Sequence, residues 1–355
     1  MEETAGSSSG ASCSQSCIAP APGVASDAHP NAALTLLPPL ARTMIIVRTH
    51  DPSPAMSERI CWWARDAIAA NCGFAVSVDA TNPPGAAAAT YLRMILPPAV
   101  IVHAYTEHDM MLAYPVLLTE CVASADAPSG GQWRSWGAYT RGTPAAATNS
   151  GPASLPPLPV SVAWGFHSEA INLFVQFNLP PDAFDYFWVL EDDVGFTGDL
   201  ATDFCEAYAA EPADLISAPM ERIFSGGSGP WCWTNTGSAG FLSFIAPAQR
   251  RRSAEHCQRF SRGLLDELHR LSIGIALTPT DIGRPPMAVA IAPMTAWSEM
   301  SVPTICRYRG LASTTLLESH IGTPFCFNGR VSSEQWQELL ASPEARCKLY
   351  HALKF

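Results

Sequence analysis

The chain has 355 residues, 48% hydrophobic and only 15% charged, which is enough to bury a sizeable core and argues against global disorder. Its formal net charge of −11 argues against a general nucleic-acid binder, which carries a basic surface. An acidic protein that handles phosphates must neutralise them locally, with a metal ion or a few placed Arg and Lys.

The first 41 residues are rich in Ser, Ala, Gly and Pro without periodicity, and read as a disordered tail. CSQSC, at Cys13 and Cys17, has loose metal-like spacing but no second pair nearby, and the 11 cysteines include no CxxC pair, so reduced, packed thiols are expected. The acidic MEETAGSSSG start lacks the basic region of a signal peptide. AALTLLPPLARTMIIV is interrupted by Pro38, Pro39 and Arg42, short of the roughly 18 unbroken apolar residues of a membrane span. No Asn-x-Ser/Thr sequon occurs. As written the chain reads as soluble, with a Golgi or ER-lumen location open if an anchor precedes the sequence.

TMIIVRT (43–49) predicts the first strand, and ERICWWARDAIAAN a helix with Ile60, Trp63, Ala64, Ala67 and Ile68 on one face. FAVSVDAT predicts a second strand ending at Asp79, so the domain opens as a βαβ unit with a parallel sheet behind it. Residues 125–159, rich in Gly, Pro, Ser and Ala, predict an extended loop. HSEAINLFVQFN predicts an amphipathic helix, in which His167 and Glu169 at i and i+2 share no face and so suit capping or packing better than metal binding.

The next strand, YFWVL (186–190), is apolar throughout and runs into Glu191, Asp192 and Asp193. LATDFCEAYAAE follows as a predicted helix capped by Thr197 or Asp199, then ADLISAP as a strand and SGGSGP as a flexible loop. Residues 252–271 predict another helix and 332–353 a terminal one, and RRRS (250–253) suits a solvated helix start better than a phosphate contact. Residues 42–330 are read as one domain and 331–355 as a helical extension.

Three adjacent carboxylates at the end of a buried strand cost several kcal/mol each to desolvate unless a cation meets them. Side chains alternate along a strand, so Glu191 and Asp193 should point one way and Asp192 the other, toward backbone amides or an arginine. Two carboxylates at the carboxyl end of a parallel strand suit Mg2+ or Mn2+ bound with a diphosphate. Three other readings stand beside this one. From Asp193, an EF-hand loop fails at Gly195 and Phe204. A solvated acidic turn sits badly after so aromatic a strand. A carboxylate acid/base pair suits adjacent residues on opposite faces poorly.

The strand–helix–strand ending in Asp, followed by an acidic triplet closing a hydrophobic strand, resembles the GT-A class of nucleotide-sugar glycosyltransferases. Glu191-Asp192-Asp193 matches their DxD-type motif in its Glu-Asp-Asp variant, and FDYFWVLEDDVGFTGDL is similar to a glycosyltransferase-like group of eukaryotic proteins. The resemblance spans about residues 43–330 and is sharp only at the triplet. It implies a Rossmann-like, mostly parallel α/β sheet flanked by helices. It also implies transfer of a hexosyl or N-acetylhexosaminyl group from a nucleotide-diphosphate-sugar to a glycan, protein or lipid acceptor. Glu191 and Asp193, joined by His320, would hold Mn2+ or Mg2+; Arg48, Thr49, Asp79 and Asp192 would contact the nucleotide or its diphosphate. Trp231 and Trp233 would stack on a sugar, and Glu299, with Asp281 as alternate, would take the acceptor proton in an inverting transfer. Each of these residues also has a plain structural reading. The competing functions are a metal-dependent phosphoesterase or nucleotidyltransferase, and a catalytically inactive carbohydrate-binding protein.

Overall fold

The computed structural model describes residues 40–117, 162–223, 237–278, 286–326 and 329–355. Asp281, Trp231, Trp233, Cys13, Cys17, the 125–159 stretch and SGGSGP lie outside the described residues. The chain runs β1 (Thr43–Thr49), α1 (Pro54–Ala69), β2 (Gly73–Asp79), α2 (Pro83–Ile95), β3 (Ile101–Tyr105) and α3 (Glu107–Ala113). It continues with α4 (Val162–Gly165), α5 (His167–Asn178), β4 (Tyr186–Glu191), β5 (Gly195–Phe196), β6 (Leu215–Ser217), β7 (Glu221–Arg222) and α6 (Ala239–Phe244). Then come β8 (Arg251–Arg252), β9 (Cys257–Ser261), α7 (Arg262–Ser272), β10 (Ile275–Leu277) and β11 (Ala288–Ala290). The last elements are α8 (Ser298–Tyr308), β12 (Ser313–Thr315), β13 (Ile321–Phe325), α9 (Ser333–Ala341) and β14 (Leu349–His351).

Seven strands form the central sheet in the order β12-β6-β9-β4-β1-β2-β3. All its pairings are parallel except the two made by β9. The sheet is covered on both faces, and the alternation of side chains shows why. Ile45, Val47, Trp188 and Leu190 point to one core with Ile60 and Trp63 of α1; Met44, Ile46, Phe187 and Val189 point to the other with Phe174 of α5. This is the mostly parallel α/β sheet flanked by helices that the sequence predicts. β4 and β2 lie on opposite sides of β1, and the chain order reverses there, which places a crevice at the carboxyl ends of β1 and β4.

Four local expectations are corrected. Ile68 is 41% exposed and leaves the apolar face of α1. The helix expected over 252–271 is a strand, β9, followed by the shorter α7, whose period is carried by Leu264, Leu265, Leu268 and Leu271. Polar residues disguise β9: Arg259 is only 1% exposed, and its guanidinium donates to the carbonyls of Tyr208, Glu211 and Ala213. Residues 250–252 are accordingly no helix start; Arg251 and Arg252 form β8.

LATDFCEAYAAE forms a π turn (Leu200–Cys205) and a 3-10 turn (Glu206–Tyr208) in place of an α-helix. Asp199 sits at the cap position without a side-chain bond, and the Thr197 hydroxyl donates to Ala345 O. Asp66 of α1 accepts instead from Ala201 N (2.5 Å) and Thr202 Oγ1 (2.8 Å). Finally, the terminal helix stops at Ala341, where Pro343 cannot continue it, and the chain turns into β14 beside β13 and β5.

Gly85, in the first turn of α2, lies so close to the end of β2 that a Cβ there would stand 2.0 Å from Asp79 O. Gly85→Ala must therefore push α2 off the strand. The expected loss is about 1–3 kcal/mol, read as a lower urea midpoint with an unchanged slope.

Candidate functional site

The crevice holds a cavity of about 430 Å³. β1 supplies Arg48 and Thr49, β2 supplies Asp79, β4 and the turn after it supply Glu191, Asp192 and Asp193, and the approach to β9 supplies Glu255 and His256. Glu299 enters from the first turn of α8, and Arg330, His351 and Lys354 enter from the C-terminal segment. β9 is antiparallel to β4, so its beginning lies at the same edge as the end of β4.

The triplet is split between two sets of partners. Glu191 N donates to His256 O (3.1 Å) and Asp192 N to Arg48 O (3.0 Å), which carries the strand ladder one residue further. The Asp192 carboxylate accepts from Thr49 Oγ1 (2.5 Å), and its carbonyl accepts from the buried Arg59 Nη2 (2.5 Å). Burial holds the Asp192 carboxyl above its ordinary range against that hydrogen bond, and the neighbouring Asp193 adds to the rise. Burial pulls Arg59 down to about 10, with Asp192 and Asp193 opposing.

Glu191 and Asp193 instead share His351. Its Nε2 lies 3.5 Å from Glu191 Oε2 and 3.4 Å from Asp193 Oδ1, and Asp193 is also paired with Lys354 Nζ. His256 Nδ1 is 2.7 Å from Glu191 Oε2, and its ring stacks on that of His351 with centroids 3.6 Å apart. Burial raises the Glu191 carboxyl, but the hydrogen bonds of His256 and His351 and the charge of Arg48 outweigh it and hold the group well below its ordinary value. His351 is the converse: burial disfavours its charge, and its bonds to Asp193 and Glu191 overcome that and raise it to about 10.

One donor atom from each of Glu191, His256 and His351 falls within 4.8 Å of the others, the spacing of a metal site. His351 Nδ1 is held 3.0 Å from Cys326 O, which fixes the ring and leaves Nε2 turned to the acids. His256 Nε2 is buried without a hydrogen-bond partner. Two imidazoles and a carboxylate suit Mn2+ better than Mg2+, which prefers an all-oxygen shell. The residues present therefore fit a divalent ion.

Beside this cluster stand two more carboxyls. Burial, then the charges of Glu255 and Glu191, push Glu299 up to about 8. Burial pushes Glu255 up to about 8 as well, with Arg48 opposing and Glu191 adding. Glu255 Oε2 rests against Nδ1 of the fully buried His167, outside hydrogen-bond angles. Burial, then the charge of Arg48, keeps His167 well below its ordinary value and so neutral. Asp79 is anchored by Thr81 N (3.0 Å) and Thr81 Oγ1 (2.5 Å).

Of the residues singled out in the sequence, Arg48, Thr49, Asp79, Glu191, Asp192, Asp193 and Glu299 meet in the cavity. His320 does not. Its Nδ1 lies 3.0 Å from Tyr208 OH and its ring packs among Phe196, Phe204 and Tyr208, so it belongs to the core. His320→Ala should leave Mn2+ affinity unchanged in a titration while costing about 1–2 kcal/mol in urea unfolding. Glu255, His256, His351 and Lys354 escaped sequence reasoning because both stretches that carry them were read as helix. The signal available in the C-terminal stretch was Pro343, with the strand-forming Tyr350 beyond it.

No family model matches the sequence, and neither does any curated protein. Among solved structures the chain is similar to mouse xyloside xylosyltransferase 1 in its apo form, with 12% identity, 87% of this chain and 97% of that chain covered, and a TM-score of 0.34. An overlap that loose carries no argument about fold or catalytic residues.

Proposed function

We propose that the chain is a metal-dependent glycosyltransferase, moving a sugar from a nucleotide-diphosphate-sugar to a glycan, protein or lipid acceptor. The observation that supports this best is the convergence of the acidic triplet with His256 and His351 at the switch point of the sheet, beside a cavity of about 430 Å³. Arg48 and Asp79, at the ends of β1 and β2, line the cavity and would face the nucleotide. Glu191, His256 and His351 would hold Mn2+, whose charge would neutralise the departing nucleoside diphosphate. Asp193 holds His351 in place, and Lys354 adds positive charge at the same edge.

In an inverting transfer the acceptor hydroxyl oxygen bonds to the anomeric carbon as the bond from that carbon to the diphosphate oxygen breaks. The hydroxyl proton passes to the Glu299 carboxylate, and the diphosphate leaves with the bonding electrons. Glu299 lines the same cavity as Arg48 and Asp79, which would bring the base and the donor to one site.

A second reading draws on the same contacts. Arg48, Arg59, His351 and Lys354 already surround the three acids, as they would in a sugar-binding protein that needs no ion. A phosphoesterase working through two ions is less well supported, since the described residues hold one cluster of three donors.

Thermal unfolding with UDP or GDP, with and without Mn2+, separates these readings. Stabilisation that requires ion and nucleotide together, and is lost in Asp193→Ala, is the expected result. Stabilisation by glycans alone would favour the binding protein, and release of phosphate from nucleoside diphosphates would favour the phosphoesterase.

A further inference from the structure

The C-terminal segment brings one more cation to the cavity than the acids there take up. Lys354 is paired with Asp193, and the charge of Arg48 acts on Glu191 and Glu255. Arg330 lines the same cavity, yet its side chain has no hydrogen-bond or ion-pair partner among the described residues.

The backbone decides where Arg330 points. Val331 N donates to Ala352 O (3.0 Å) and Ala352 N to Gly329 O (3.1 Å), so the chain is tied on both sides of Arg330 to the residue after His351. Val331 forms a parallel bridge with Leu353 and is buried with Trp336, Tyr350 and Leu353. Side chains alternate along extended backbone, so Arg330 turns the other way, into the cavity. The approach requires glycine just before it: a Cβ on Gly329 would stand 2.2 Å from His351 O. Arg330 is thereby set beside the stretch whose His351 and Lys354 meet Glu191 and Asp193.

Electrostatics says what such a group can do. In a chain of net charge −11, whose cavity is lined with acids, a guanidinium gains by pairing with a carboxylate. Arg330 pairs with none among the described residues, so its charge stays available for an anion that a ligand brings.

We propose that Arg330 receives the β-phosphate of a nucleoside diphosphate and selects diphosphate over monophosphate donors. Calling the ligand a donor rests on the glycosyl-transfer reading above. A planar guanidinium fork matches two phosphate oxygens at once. Its place beside Glu191, His256 and His351 suits the phosphate that departs, whereas Arg48 and Asp79 are the residues given to the nucleotide strands. As the bond to the anomeric carbon breaks, charge collects on that phosphate, and a donor already in place stabilises it without reorganisation. A carboxylate on the sugar is the other anion the fork matches, and the test separates it.

The test is calorimetric titration of the full chain with UDP, GDP, UMP, GMP, UDP-glucuronate and inorganic pyrophosphate, each with Mn2+. Arg330→Gln should weaken the preferred diphosphate and pyrophosphate by about tenfold or more, the scale of a charge-assisted contact, and leave the monophosphate within about twofold. Arg330→Lys should keep part of the affinity, since the charge remains and the fork is lost. The side chain is exposed, so neither variant should change the melting temperature. Unchanged diphosphate affinity in Arg330→Gln, an equal loss for diphosphate and monophosphate, or a loss confined to UDP-glucuronate would overturn the proposal. The same titrations keep the two readings apart. If UDP or GDP binds with Mn2+ and Arg330→Gln does not weaken it, the Arg330 assignment falls alone. If no nucleotide binds but pyrophosphate does, and through Arg330, the phosphate site stands and the transferase reading falls.

Discussion

Glu191→Gln should abolish Mn2+ binding and lower transfer by at least a hundredfold, while costing the metal-free protein about 3–5 kcal/mol of stability, the usual result of breaking a buried ion pair. Glu191 is where the site's partners meet: His256 and His351 are bonded to it and the charge of Arg48 acts on it. An isosteric amide keeps the volume and removes the charge, leaving those groups facing one another. The pH dependence gives a second readout. The Glu191 carboxyl is held below its ordinary value in the folded chain, so its contribution is complete above the unfolded value near 4.5 and is lost as pH falls through the folded one. Urea unfolding from pH 7 to pH 3 should therefore show a steeper acid loss in the wild type than in Glu191→Gln. Equal slopes would mean that the histidines do not depend on this carboxylate.

Glu299→Gln should have the opposite effect on stability and a comparable effect on chemistry. As the group that takes the acceptor proton, Glu299 is worth about 10²–10⁴ in rate. Its carboxyl is raised to about 8 by burial and by Glu255 and Glu191, so the folded chain binds that proton more tightly than the unfolded one. The stability it contributes is complete below about 4.5 and is lost as pH rises through 8. The amide does not titrate. At pH 9 the variant should be about 1–3 kcal/mol more stable than the wild type, with the difference vanishing at pH 4. A variant that loses activity and also loses stability at pH 9 would point to a structural role for Glu299. Full activity would pass the role of base to Glu255.

The sequence and the structure agree best where burial is simplest. β1, β2 and β4 are apolar on both faces, α1 buries Ile60, Trp63, Ala64 and Ala67, and the acidic triplet sits where β4 leaves the core, so the nucleotide-facing half of the site is legible from residue order. The other half is not, for a physical reason. β9 carries Gln258 and Arg259 fully inside the sheet, and Arg259 is tolerated there only because three carbonyls from the segment before β6 accept its protons. Nothing local to CQRFS announces those carbonyls, so the polar strand reads as the start of the helix that follows.

His351 was hidden in the same way. β14 spans three residues; its partner β5 spans two and is remote in the chain, and its other partner β13 is separated from it by α9. The late histidine that the resemblance implies, His320, is held in the core by the aromatic rings of Phe196, Phe204 and Tyr208. The cation needed at the triplet is met from the C-terminal segment, by His351 and Lys354, once Leu353 N has bonded to Asp193 O (2.7 Å).

The most direct measurement is electron paramagnetic resonance of Mn2+ titrated into the full chain, in the presence of UDP or GDP, with the histidines labelled with 15N. One bound ion showing coupling to two histidine nitrogens, lost in His351→Ala and kept in His320→Ala, is the result expected if Glu191, His256 and His351 form the metal centre. A spectrum of free manganese, or a bound ion whose coupling survives His351→Ala, would contradict it.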